Sequence, residues 1–120
     1  AAIAIPVVSS TIASSQRSTA LSDAQTLELA LKEAHAQIVA KDTSVYADTA
    51  TVNDVITEKS LQSIHVGDTR TIGGDTYTLS WCAADDKCYW MNGTSNLDTS
   101  ITPGGATVAI ATGDVVSTLF

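Results

Sequence analysis

The sequence is poor in aromatic and charged residues, which make up 5% and 16% of its 120 residues. Because aromatics are few, aliphatic side chains and alanine must supply most of the core packing. Apolar residues at 44% are sufficient for such a core. The chain also lacks an apolar run of about 20 residues, the length that a membrane-spanning helix needs. Its length indicates a single domain.

Positive charge is scarce as well. Six Lys and Arg stand against thirteen Asp and Glu, which gives a formal net charge of -7 and a pI near 4.4. The basic residues are scattered along the chain and form no cluster. A surface of this charge repels phosphate backbones, so we expect no nucleic acid as a primary partner.

Cysteine occurs only at Cys82 and Cys88, in a segment with the pattern of a hairpin. Such a pair indicates a disulfide, half of a metal site, or two reduced thiols. A zinc site needs four ligands, and His35 and His65 stand at no ligand-like spacing. With Asp85 at the centre of the turn, the two cysteines face each other. We therefore expect a disulfide and an oxidising, extracytoplasmic location.

Residues 1–40 have the pattern of one long amphipathic helix. Asp23, Glu28 and Lys32 fall on its polar face, where we expect them to be exposed. The helix is predicted to end near Asp42, where short polar and β-branched residues begin. Apolar residues recur on the other face at helical spacing. We assign them to the core between helix and sheet: Ala20, Ala24, Leu27, Leu31, Ala34 and Ile38.

The second half of the chain changes to a period of two, which is typical of strands. Residues 41–60 connect the two halves and contain a helical turn near residues 51–59. Residues 92–105 form a loop rich in Thr, Ser and Gly. A helix followed by hairpin-connected strands indicates the α+β class with an antiparallel sheet. Strands are predicted at residues 63–66, 69–72, 76–82, 87–91, 107–111 and 115–120.

The predicted hairpin around the two cysteines assigns further residues to the core. Leu79, Trp81, Tyr89 and Met91 fall on one face, which we expect to lie against the helix. Trp90 falls on the other face. If it is exposed there, it is available to a neighbouring subunit or a surface ligand.

The helix is too long for the domain that follows it. A helix of about 35 residues spans ~50 Å, whereas the remaining residues form a globule only ~30 Å across. The helix therefore overhangs its own domain by roughly 20 Å at its N-terminal end. That end carries Ile and Ser residues with poor helix propensity and needs neighbours to bury it.

Residues 1–6, Ala-Ala-Ile-Ala-Ile-Pro, resemble the end of the hydrophobic N-terminal segment of type IV pilins and pseudopilins. In that family a small apolar run closes on a proline before an amphipathic helix. The likeness is close over residues 1–12 and extends in general layout through residue 40. It implies a ladle-shaped fold in one pilin domain over residues 1–120, with Cys82 and Cys88 as its disulfide. The family's cleavage site and its glutamate are missing, which indicates a processed or truncated subunit.

The resemblance implies a structural subunit of an extracellular type IV pilus that displays its sheet and loop for adhesion or motility. The partners implied are identical subunits and minor pilins, and the membrane before assembly. No nucleophile, acid–base pair, cofactor loop or metal cluster is evident, so we expect neither an enzyme nor a cofactor. The residues assigned to filament assembly are Ile3, Ile5, Pro6, Val7, Val8 and Ile12.

Two alternatives stay open at this point. One is a pseudopilin of a type II secretion or DNA-uptake system, which shares the fold. The other is a secreted ligand-binding module in which Trp90 and the loop 92–105 form the site. Asn92-Gly93-Thr94 also matches the acceptor pattern for N-linked glycans, a match that arises often by chance.

Overall fold

The computed structural model describes residues 4–42, 44–64 and 66–120, with side chains described from residue 14 onward. The architecture is α+β, with one long helix and a small antiparallel sheet, as the sequence predicts. The helices are α1 (Ala4–Val39) and α2 (Val52–Lys59), and a 3₁₀ turn spans Val116–Leu119. The strands are β1 (Thr69–Ile72), β2 (Asp75–Cys82), β3 (Lys87–Asn92), β4 (Ser95–Asn96) and β5 (Thr107–Ala109).

Helix α1 ends a few residues before the predicted position. Lys41 adopts a left-handed conformation with φ of 58°, and the Asp42 N–H donates to the Gln37 carbonyl at 3.0 Å. This is the geometry of a Schellman-type end, which satisfies a carbonyl of the last turn.

The predicted apolar stripe of α1 is buried along its whole length, with Ile38 the most accessible member at 8%. Ala30 joins it on the same face. Because half of the stripe is alanine, the helix backbone approaches the sheet closely. The stripe members lie in one continuous cluster with residues of the sheet, among them Leu79, Trp81 and Trp90.

Helix α2 begins with a capping box, in the region where the sequence predicts a helical turn. The Asp54 N–H donates to the Thr51 hydroxyl at 3.3 Å, and the Thr51 N–H donates to the Asp54 carboxylate at 2.8 Å. These reciprocal bonds satisfy backbone donors that a helix start leaves without partners. Val52 and Val55 are fully buried and join the core beside α1.

Strand β2 is the centre of the sheet. On one side it pairs with β1 along its first half and with β5 along its last residues, and on the other side it pairs with β3. Strand β4 extends the sheet beyond β3. All pairs are antiparallel, so short turns connect the successive strands from β1 to β4.

The register between β2 and β3 differs by one residue from the prediction. Cys82 lies opposite Lys87, and Trp81 lies opposite Cys88. The chain reverses through residues 83–86, with Asp86 in a left-handed conformation at φ 53°. Cys82 and Cys88 therefore point to opposite faces of the sheet and remain free thiols. The predicted disulfide between them is wrong.

The same register reverses the predicted faces of β3. Trp90 is fully buried and lies opposite Leu79 on the face that meets α1, so the predicted exposed contact at Trp90 is wrong. Tyr89 and Met91 are buried too, but they form a separate small cluster with Cys82 on the far face. Their assignment to the core between helix and sheet is therefore also wrong.

Other predicted strands and loops also differ from the structure. The described residues among 63–66 form turns, and His65 lies outside the described residues. The predicted strand at 115–120 is the 3₁₀ turn, attached through an isolated bridge between Val115 and Thr51. The predicted loop at 92–105 contains the short strand β4, which turns back on the end of β3.

Candidate assembly and display surfaces

The sheet, α2 and the C-terminal part of α1 form a head from which α1 projects. We call residues 14–19 of α1 the neck, because they lie just before Ala20, the first buried residue of the stripe. Every neck residue is exposed, whereas Ala20 is fully buried. Residues 4–19 of the helix correspond to about 24 Å at 1.5 Å per residue.

The overall dimensions agree with a projecting helix. The molecule measures 59 × 29 × 19 Å, and its long dimension slightly exceeds the ~54 Å expected for a helix of the length of α1. The Cα radius of gyration is 16.0 Å, against about 14 Å for a compact domain of this size.

Polar contacts fix α1 to the sheet where the neck meets the head. The Trp90 indole N–H donates to the Ala20 carbonyl at 2.8 Å. Arg70 of β1 pairs with Asp23 at 2.8 Å, with side-chain exposures of 18% and 25%, and its guanidinium lies 5.5 Å from the Trp90 ring centroid. The Gly73 N–H donates to the Gln16 side-chain oxygen at 3.2 Å. These contacts fix the direction in which the helix leaves the head.

Glu28 is also part of this attachment, contrary to the prediction that it is exposed. Its carboxylate accepts the Cys88 backbone N–H at 3.2 Å and lies 3.5 Å from the Lys32 ammonium. Since Cys88 lies on the outer side of β3 beyond the reach of β4, Glu28 satisfies a strand donor that would otherwise lack a partner. Asp23 and Glu28 thus join the helix to the sheet.

The loop after β4 is held against the β2–β3 turn by Asp85. Its carboxylate accepts the Tyr89 hydroxyl at 2.7 Å and the Gly104 N–H at 2.8 Å. The hydrogen bond from Gly104, followed by that from Tyr89, lowers the pKa of Asp85 below its ordinary value. Burial, together with the neighbouring Asp85, raises the pKa of the Tyr89 hydroxyl.

Glycine at position 104 is required by this contact. A Cβ atom on Gly104 would collide with the Asp85 carboxylate, and one on Gly105 would lie 2.9 Å from the Ala84 Cβ. We call the contact of Asp85 with Tyr89 and Gly104 the carboxylate clasp. It holds the far end of the loop, while the Asn96 side chain donates to the Ile101 carbonyl at 3.1 Å near its start.

A cleft of about 140 Å³ lies between α1, β3 and this loop, with Leu21, Glu28, Trp90 and Asp98 in its walls. It is smaller than the ~300 Å³ at which small-molecule sites begin. Within the described ranges, no three His, Cys, Asp or Glu side chains are grouped closely enough to hold a metal ion. The cleft gives no support to the ligand-binding module.

The two thiols are packed in the interior of the head, where reagents have little access to them. Both are buried, and burial is the main cause that raises the pKa of Cys88. A raised pKa keeps the sulfur protonated and poorly nucleophilic. Because the two cysteines form no disulfide, they give no indication of an oxidising location.

The residues predicted to assemble the filament fall where the structure is not described. Ile3 lies outside the described residues, and so do the side chains of Ile5, Pro6, Val7, Val8 and Ile12. Their role in assembly stays a prediction. Among the described residues, no helix is both long and apolar enough to cross a bilayer.

Comparison with known protein families, with curated proteins and with solved structures finds no match to this chain.

Proposed function

We propose that this chain is a structural subunit of a filament of the type IV pilus kind, with a pilin-like fold. The observation that carries the proposal is the neck. Residues 14–19 belong to a 36-residue helix, yet all six are exposed, whereas one face of the same helix is buried from Ala20 onward.

A helix segment of this composition is unstable in water when nothing packs against it. Ser and Thr are weak helix formers, and most helical stability in proteins comes from packing of an apolar face. The neck presents Ser14, Ser15, Ser18 and Thr19 to solvent. Packing against other copies would supply the missing neighbours, and the small side chains would let helices approach closely.

The apolar residues before the neck would drive this association. Burial of Ile, Val and Pro side chains contributes about 25 cal/mol per Å² of apolar surface removed from water. A helix that packs against a different surface of the next copy makes a heterologous contact, which propagates into a helical fibre. The head and its clasped loop would then face outward at the cell surface.

The proposal is tested by deleting residues 3–8 and expressing the variant beside the full chain in cells that make the filament. We expect the variant to fold and to be missing from sheared filaments examined by immunoblot and electron microscopy. The matched control is Val108→Ser, which removes an exposed apolar side chain of the head and should leave incorporation unchanged. Incorporation of the deletion variant at the level of the full chain contradicts the proposal.

A further inference from the structure

The tip of the β3–β4 hairpin carries a sequence pattern that the filament proposal leaves unused. The asparagines of the chain are Asn53, Asn92 and Asn96. Only Asn92 has a hydroxyl residue two positions later, in Asn92-Gly93-Thr94, the acceptor pattern for N-linked glycans.

The hairpin presents this pattern to solvent. Asn92 pairs with Ser95, so Gly93 and Thr94 alone form the turn, and Gly93 has the positive φ of 60° that such a turn requires. Residues 92–95 are all exposed. A Cβ built on Gly93 would meet no atom within 4 Å, so the space around the turn is open to an enzyme.

Asn96 is an example of an asparagine that a transferase could not reach. It is 7% exposed, and its side-chain amide donates to the Ile101 carbonyl at 3.1 Å. That amide is largely buried and already has a structural partner. Asn92, by contrast, is exposed. It lies at the end of β3 that approaches the neck, since the Trp90 side chain two residues earlier donates to the Ala20 carbonyl.

We propose that Asn92 is an N-glycosylation site whose donor is an oligosaccharide carried on a polyprenyl diphosphate. The Asn92 side-chain nitrogen would attack the anomeric carbon of the first sugar, forming the N–C bond. The bond from that carbon to the diphosphate oxygen breaks, the polyprenyl diphosphate leaves with the electron pair, and the amide nitrogen gives up one proton. The Thr94 hydroxyl is the group by which the transferase recognises the acceptor. The glycan covers the head beside the neck.

The test uses the purified, folded full chain with an oligosaccharyltransferase that accepts Asn-Xaa-Ser/Thr and a polyprenyl-diphosphate-linked oligosaccharide of known mass. Intact mass and peptide mapping report the product. We expect one oligosaccharide per chain, on Asn92, and its complete loss in Asn92→Gln. Thr94→Ser should keep the transfer, whereas Thr94→Val, which has nearly the same shape without the hydroxyl, should abolish it.

The turn is exposed, so these variants should share the thermal midpoint of the parent, which shows that they fold. Three outcomes overturn the proposal: a folded chain that stays unmodified while a denatured chain is modified, transfer that survives Thr94→Val, or a glycan on another residue. Asn92 followed by Gly93 can also deamidate: the Gly93 backbone nitrogen attacks the Asn92 side-chain carbonyl carbon, ammonia leaves, and water then opens the cyclic imide to an aspartate or isoaspartate. A chain that shows only the small mass increase of that reaction likewise overturns it.

Discussion

At the scale of single residues, the two tryptophans are equally buried but differ in their hydrogen bonding. Trp90 donates to the Ala20 carbonyl, whereas the Trp81 indole N–H has no partner among the described residues. A buried N–H without an acceptor costs free energy, while a satisfied one contributes to stability.

This difference predicts unequal costs for the same substitution. We expect Trp90→Phe to lower the free energy of unfolding by about 1–3 kcal/mol, since it removes a hydrogen bond and some volume. Trp81→Phe removes volume without removing a bond, so it should cost at least ~1 kcal/mol less. Urea unfolding of the two variants measures the difference. Equal costs would show that the bond to Ala20 contributes nothing.

Asp85 predicts a pH dependence of stability. Folding lowers the pKa of Asp85. The ionised carboxylate therefore stabilises the head at pH values above the ordinary Asp pKa of about 3.9. This contribution is lost as the pH falls from there through the lowered pKa. We expect Asp85→Asn to flatten the fall in thermal midpoint over that acid range. Asp86→Asn, in the same turn but outside the clasp, is the control, and it should keep the dependence of the parent.

At the scale of elements, the docking of α1 depends on its alanines. Ala34 is fully buried in the core cluster that α1 shares with the rest of the head, whereas Ala36 on the same helix is exposed. Ala34→Leu should therefore overpack the interface and cost about 1–3 kcal/mol. Ala36→Leu should change the free energy of unfolding by less than ~0.5 kcal/mol. Denaturant unfolding measures both changes, and an unchanged m-value would attribute the loss of stability to the native state. If Ala34→Leu leaves the free energy of unfolding unchanged, the interface is more loosely packed than its burial indicates.

The register of the β2–β3 hairpin is the second prediction at this scale. With the cysteines on opposite faces, the chain should show two free thiols in denaturant, and reductant should not change its stability. In the native state, a thiol reagent should react at least ~100-fold more slowly, because access requires local opening. Mass spectrometry after alkylation measures both. A disulfide between Cys82 and Cys88 would require the register to slip by one residue.

At the scale of the whole molecule, the head should be stable without the helix that precedes the neck. A chain that begins at Ser14 keeps every buried residue of the stripe. We expect its free energy of unfolding to match that of the full chain within ~0.5 kcal/mol. Scattering should show a smaller radius of gyration. A large loss of stability would mean that residues 1–13 pack on their own head, which leaves them unavailable to other copies.

The sequence by itself determined the helix and its buried face. The stripe from Ala20 to Ile38 follows from side-chain spacing, which is a local property of a helix, and the same reasoning located α2. It also placed most strands to within a few residues, because alternation and Gly-rich turns are local signals. The excess length of α1 over the head follows from residue counts alone.

Only the tertiary structure decided the faces of the hairpin and the partners of its polar groups. A change of one residue in the turn at 83–86 moves every side chain of β3 to the other face. That change buried Trp90, separated Cys82 from Cys88, and placed Tyr89 where it meets Asp85. The polar contacts that attach α1 to the sheet join residues far apart in the chain, as Arg70 does with Asp23. Local periodicity holds no information about them, since it constrains neighbours along the chain and not across the sheet.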